Sequence, residues 1–476
     1  MHDEASAAAV SVAPETAAPM TAAPTTAAPQ SAAPKSTPAE LAWLVPGSAN
    51  GRLASAIVEG DANGHELRRL TLPREPLRLW ATSASQKVLA QGMDTWMWVD
   101  LAAGKVIVLN FGAVSASEIF PRSQGKTWWV LSREAGAAFL LELATGKLVP
   151  LAGLGVGAVY GNPTLLPGET AMFLVSPGPA ILTFGPSGTF RQIASGKAIF
   201  PSYSPDGSRI LYTLKNGTSM DVTSEKVDGT DGKLLLHSAV AVRAEFAADT
   251  DHLLVIDTKG IALLDVASGK AVQVSTTATI DSVVAIQWSN DRKAAVIDYR
   301  DSANIDEWLY VDTVAQKAKP LLELASHSSV TSGNLAGATG QVGDYQLFAA
   351  TVTTASADFK LLDFATGTVQ AVSDVDTGLR YVAGSASGTG RWFLAETMTP
   401  TTSTAAMREW LIDGSKGSAV YIEAGPIVRG SLSPDGTTVA GSTWDGKSAT
   451  ELDLFDLASG KKTKLGPGFD AVWVAR

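Results

Sequence analysis

The side chains that could do chemistry are scattered along this chain. The histidines His2, His65, His237, His252 and His327 fall far apart, and no two stand at zinc-ligand spacing. Each reads as a loop or surface residue. Cysteine is absent, which removes disulfides, thiolate metal sites and cysteine nucleophiles together but leaves the compartment open. Gly384-Ser385-Ala386-Ser387-Gly388 comes nearest to a nucleophile elbow, with alanine where the serine would attack. No phosphate-cradling glycine loop with its lysine occurs.

Acids number 47. Asp374-Val375-Asp376-Thr377-Gly378 and Asp61-Ala62-Asn63-Gly64 offer oxygens at alternate positions, as calcium loops do, but neither runs on to a distal glutamate. Asp298, Asp301, Asp306 and Glu307 could gather at one sheet edge. Aspartate is favoured in turns for its own reasons, and that reading is preferred for all of them. Glycosidase chemistry needs two facing carboxylates, and residue order selects no pair. The sequence therefore nominates no catalytic, cofactor-binding or metal-ligating residue. Of the 12 tryptophans most lie inside expected strands, Trp96, Trp98, Trp288 and Trp410 among them, and read as packing. Asn216-Gly217-Thr218 matches a glycosylation sequon, and Asn-Gly is equally a hairpin turn, the reading favoured here.

Net charge is −10 and no basic run forms a patch, so nucleic acid is not an expected partner. No apolar run nears the roughly 20 residues that span a bilayer. Residues 5–38 are almost wholly Ala, Pro, Thr and Ser, with Pro19, Pro24, Pro29 and Pro34 at five-residue intervals. Proline blocks helix and nothing large is available to bury, so residues 1–40 are expected to be a disordered tether. Such tethers commonly join a lipid anchor or export signal to a folded domain. Any such signal would lie upstream of Met1.

The elements that must position any site begin at Leu41. From there to Arg476, apolar runs of strand length alternate with Gly, Asp, Asn, Ser and Pro clusters, an all-β texture. Two signatures recur. Ser204-Pro205-Asp206-Gly207 and Ser433-Pro434-Asp435-Gly436 each join two strands, and Trp288-Ser289-Asn290-Asp291-Arg292 and residues 121–126 read as worn copies. The second signature is Asp, two residues, Ser or Thr, Gly, Lys, as in Asp265–Lys270 and Asp456–Lys461. Its glycines stand at 64, 104, 146, 188, 232, 269, 367, 414 and 460, with a degenerate turn near Gln316, a spacing of one four-stranded blade. Units run approximately 75–112, 113–154, 155–196, 197–239, 240–278, 279–326, 331–374, 379–424 and 425–466. Three strands in 41–72 and one in 469–475 would make a tenth by pairing the two ends. One large ring, two smaller ones, or one irregular unit split in two would each fit.

This order of strands and turns resembles the TolB-type, or WD-like, β-propeller repeat. The resemblance spans about 41–476 and is specific at 204–207 and 433–436. It implies an all-β propeller of about 8–10 four-stranded units, usually outside the cytoplasm and usually binding other proteins. The expected function is a non-enzymatic protein-binding or scaffolding module of a bacterial envelope, in the periplasm or at the cell surface. A carbohydrate-active envelope enzyme using channel carboxylates, with a glycan as its partner, and a structural subunit of a surface assembly are the alternatives. No cofactor is expected.

Overall fold

In the computed structural model, residues 40–474 are described, apart from short loop segments and a longer one at 323–344. The expected tether and His2, His327 and the Asp374–Gly378 loop lie outside the described residues, as does the worn turn at 121–126. Among the described residues the 39 elements are all strands, and they form ten antiparallel sheets in chain order. Nine sheets have four strands; sheet 8, at 345–371, has three among the described residues. Sheets 2 to 10 begin at Arg78, Glu118, Val159, Ala198, Val242, Ile280, Tyr345, Arg380 and Val428. These are the ten units counted in the sequence. Sheet 1 combines Glu40–Pro46, Ala54–Gly60 and Glu66–Thr71 with the last strand, Phe469–Val474, where Leu41 lies opposite Trp473.

A single such sheet buries neither face by itself, and its neighbours supply the cover. Leu41, Val58, Leu454 and Trp473 pack sheet 10 onto sheet 1. Leu211, Val222, Val242 and Phe246 join sheets 5 and 6. Ile256, Trp288 and Ile297 join 6 and 7. Val296, Tyr310, Phe359 and Trp410 carry one core through sheets 7, 8 and 9. Of the described tryptophans, Trp43, Trp96, Trp98, Trp288, Trp308, Trp410 and Trp473 are buried and Trp80 is half-buried, in keeping with a packing role.

Both turn signatures are hydrogen-bond devices. Ser204 Oγ donates to Asp206 Oδ1 (2.6 Å) and accepts from the Arg209 amide (2.9 Å), while Asp206 accepts from the Ser208 amide (3.0 Å). Ser433 and Asp435 repeat this with Thr438 and Thr437. In the second signature Asp265 accepts from the amide and hydroxyl of Ser268, both at 2.6 Å, and Asp456 does the same with Ser459. The first signature joins strands one and two of a sheet, the second strands three and four.

Two landmark glycines need correction. In sheet 9 the left-handed residue is Gly417 (φ +64), whose amide donates to the Asp413 carbonyl, so the landmark lies three residues beyond Gly414. Near 232 it is Asp231 (φ +54) that takes the left-handed conformation. Gln316 (φ +54) does so in the degenerate turn of sheet 7.

Neighbouring sheets also interlock through the second turn, which the repeat signature does not reveal. Trp98 Nε1 donates to the Leu143 carbonyl (3.0 Å), and a Cβ on Gly146 would stand 2.7 Å from the same indole. Tyr310 repeats the arrangement, with its hydroxyl on the Phe364 carbonyl (2.8 Å) and its ring 2.7 Å from a Cβ built on Gly367. In both cases an aromatic residue two places before the turn acid reaches the turn of the next sheet.

Candidate functional site

The first strands of sheets 5, 6 and 7 converge on a pocket at the rim opposite the Ser-Pro-Asp-Gly turns. It has a volume of about 250 Å³ and apolar walls from Val242, Ile256, Ile280 and Val283. Phe200, Arg243, Asp257 and Asp281 complete its lining.

Bulges build this pocket. The strand Ala198–Tyr203 slips register between Ile199 and Ser202, which leaves Phe200 and Pro201 outside the regular pairing. The strand Ile280–Trp288 slips twice, around Asp281 and around Val284. The strand between them, Val242–Phe246, pairs regularly with His252–Asp257. A bulge turns a side chain away from the pleat and bends its strand. Here the re-aimed residues are the ones that protrude. Phe200 is 43% exposed and Val284 41%.

Phe200 also sits at φ +52. A bulky residue in that region costs on the order of 1–3 kcal/mol and is held there only by its surroundings. Its support is a chain of polar contacts across the sheets. The Arg243 guanidinium lies 5.6 Å from the Phe200 ring centroid. Arg243 Nη2 and Nε donate to Glu245 Oε1 at 2.9 and 3.2 Å, and Trp288 Nε1 donates to Glu245 Oε2 at 2.7 Å. Arginine, glutamate and indole thus satisfy one another, and the aromatic ring is presented at the pocket edge.

The sequence candidates are distributed elsewhere. Asp61 Oδ1 accepts from the amides of Asn63 and His65, and its Oδ2 meets His65 Nδ1 at 3.0 Å, a turn rather than a cation loop. His237 Nδ1 lies 2.6 Å from Asp221. His252 Nδ1 lies 2.9 Å from Asp249, whose hydrogen bond raises the imidazole above its ordinary value against the opposing effect of burial. Asp298, Asp301, Asp306 and Glu307 stand on two paired strands of sheet 7, and the side chain of Asp306 lies outside the described residues. Asp298 is buried opposite Ala285 and Trp308, Asp301 lies opposite Ile280, Asp306 lies opposite Arg300, and Glu307 accepts from the Tyr299 hydroxyl at 2.7 Å. Burial and that bond push the Tyr299 hydroxyl up. Among the described residues no three His, Asp or Glu side chains come together as a metal site. Asn216 faces Ser219 across a hairpin with Gly217 at φ +65, as the Asn-Gly reading expected.

Neither Phe200 nor Asp281 was marked by residue type. The available signal was Phe200-Pro201, a proline that interrupts a strand pattern just ahead of the strongest turn motif.

No family model matches the chain, and no curated protein matches it. Solved structures do. A structure described as the eukaryotic initiation factor aligns at a TM-score of 0.52 and 12% identity, covering 81% of this chain and 96% of that one. TolB from Acinetobacter baumannii aligns at 0.33 and 13%, over 84% and 82%. AztD from Citrobacter koseri, in its apo form, aligns at 0.38 and 11%, over 92% and 98%. At such identities the likeness concerns fold alone. The chain is an all-β protein of the β-propeller class.

Proposed function

We propose that this chain is a binding module that docks a segment of another protein at the Phe200 pocket. Phe200 carries the reading. It is a large aromatic side chain, strained, exposed, and braced by Arg243 at the mouth of a pocket the size of one side chain. Aromatic anchors in or beside pockets dominate the energetics of protein interfaces. The Ala- and Pro-rich stretch at 5–38 supports a place outside the cytoplasm, on a flexible tether.

Replacing Phe200 by a photo-reactive phenylalanine analogue in cells tests this. Crosslinks to one defined protein are expected from position 200 and not from the exposed control position Met93. Equal crosslinking from both positions would refute the reading.

A second reading has one observation in its favour: Asp257 and Asp281 line the same pocket, as a carbohydrate-active enzyme would require. Turnover of a glycan that Asp281→Asn abolishes would establish it in place of the first.

A further inference from the structure

We infer that the pocket receives a lysine or arginine side chain of the partner protein. The inference rests on the pocket being a docking site and adds the chemistry of what enters it.

The charges point one way. Arg243 is neutralised by Glu245, and Phe200 lies over its guanidinium. It therefore adds little net positive field. Asp257 and Asp281 remain, and neither enters an ion pair among the described residues. Asp257 uses Oδ1 to accept from the Lys259 amide at 2.7 Å, a turn contact that leaves Oδ2 and the full negative charge available. Asp281 is the extra residue of its bulge and is exposed. Arg300, opposite Ser282 on the neighbouring strand, is engaged in an interaction of its own.

The walls point the same way. Val242, Ile256, Ile280 and Val283 form an apolar sleeve beside these carboxylates. An aliphatic stem ending in a cation matches that combination, since long basic side chains bury their methylenes and keep the charged head with polar partners. A purely apolar side chain would leave both carboxylates partly desolvated without a partner, and an acidic one would face like charge. Thr258 and Ser282 supply hydroxyls at the same mouth.

The test uses the full chain and random phage-displayed peptides. Enriched peptides are synthesised with and without replacement of their basic residue by norleucine, which keeps an aliphatic stem and removes the charge. Binding is read by fluorescence polarisation to the wild type, Phe200→Ala and Asp257→Asn/Asp281→Asn. Expected are enriched sequences containing Lys or Arg, with about tenfold weaker binding for the norleucine peptide and a similar loss in the double Asn variant. Norleucine peptides that bind equally well, yet lose affinity with Phe200→Ala, would overturn the basic-residue inference and leave the docking site standing. Peptides indifferent to Phe200→Ala, or the absence of any enrichment, would overturn both.

Discussion

Two turns of one design, at residues 204–208 and 289–293, differ chiefly at their fourth position. Both use a serine hydroxyl and an aspartate to satisfy the local amides, with Ser289 Oγ donating to Asp291 at 2.9 Å and accepting from the Ala294 amide at 2.9 Å. Both place their fourth residue in the left-handed region, Gly207 at φ +70 and Arg292 at φ +54. Glycine meets that demand without strain; arginine pays about 1–2 kcal/mol. Arg292 recovers the cost outside its own sheet. Its Nη1 donates to the carbonyls of Tyr203 (3.0 Å) and Phe246 (3.2 Å), and its guanidinium lies 5.1 Å from the Tyr203 ring centroid and 5.7 Å from that of Trp288. One side chain thus ties the first-strand ends of sheets 5, 6 and 7. Gln86 (φ +52), one place later in the first turn of sheet 2, likewise reaches the neighbouring sheet, with its amide nitrogen on buried Glu40 (2.6 Å) and Glu59 (3.3 Å) of sheet 1. The serine and aspartate therefore make the turn, and the glycine is needed only where no neighbouring sheet rewards a longer side chain.

That comparison can be broken in order of effect. Gly367→Ala meets both objections, a left-handed backbone and the Tyr310 ring, and is expected to destabilise by about 2–4 kcal/mol in denaturant unfolding. Arg292→Ala keeps the strain and loses the ties to Tyr203 and Phe246, for an expected loss of about 2–3 kcal/mol. Arg292→Gly should cost less, about 1–2 kcal/mol, because it releases the left-handed strain. If the glycine variant were no better than the alanine one, strain at 292 would have no energetic weight. Gly207→Ala, strained but free of any such tie, should cost about 1 kcal/mol.

The smallest effect is acidic. Burial works to raise the Asp206 and Asp435 carboxyls, but hydrogen bonds from Ser204 and Ser208, and from Ser433 and Thr437, outweigh it and hold both below the ordinary 3.8. A depressed carboxyl stabilises the fold above its unfolded value, and that contribution fades as pH falls below 3.8 toward the native value. The Tm difference between wild type and Asp206→Asn should therefore be full at neutral pH and shrink as pH falls below 3.8. A constant difference would show that the charge contributes nothing.

Much of the architecture was legible before any coordinates. Turn chemistry is local. Ser204 and Asp206 bond to atoms within five residues, so their meaning survives in sequence, and the spacing of such turns counted the ten units. The legibility ended where local rules gave way. The turn at 288–292 stayed legible through Ser289 and Asp291 although Arg292 stands where glycine does in 204–207, whereas the first turn of sheet 2, with no aspartate and Gln86 left-handed one place later, did not. The left-handed residue of sheet 9 is Gly417 rather than Gly414, because a turn with a glycine at each place can put it at either. The pocket was invisible for a related reason. Its residues come from three units, and two of its prominent members, Phe200 and Asp281, point where they do because of bulges, which depend on how two strands slip past each other.

By itself, then, the sequence determined an all-β chain of about 8–10 repeated four-stranded units, since strand patterning and turn bonding act within a few residues. Only the tertiary structure decided which sheets share a core, how Trp98 and Tyr310 lock one sheet to the next, and where Phe200, Arg243, Asp257 and Asp281 meet. Those outcomes depend on register and sheet-to-sheet approach, and both are set by contacts between residues far apart in the chain.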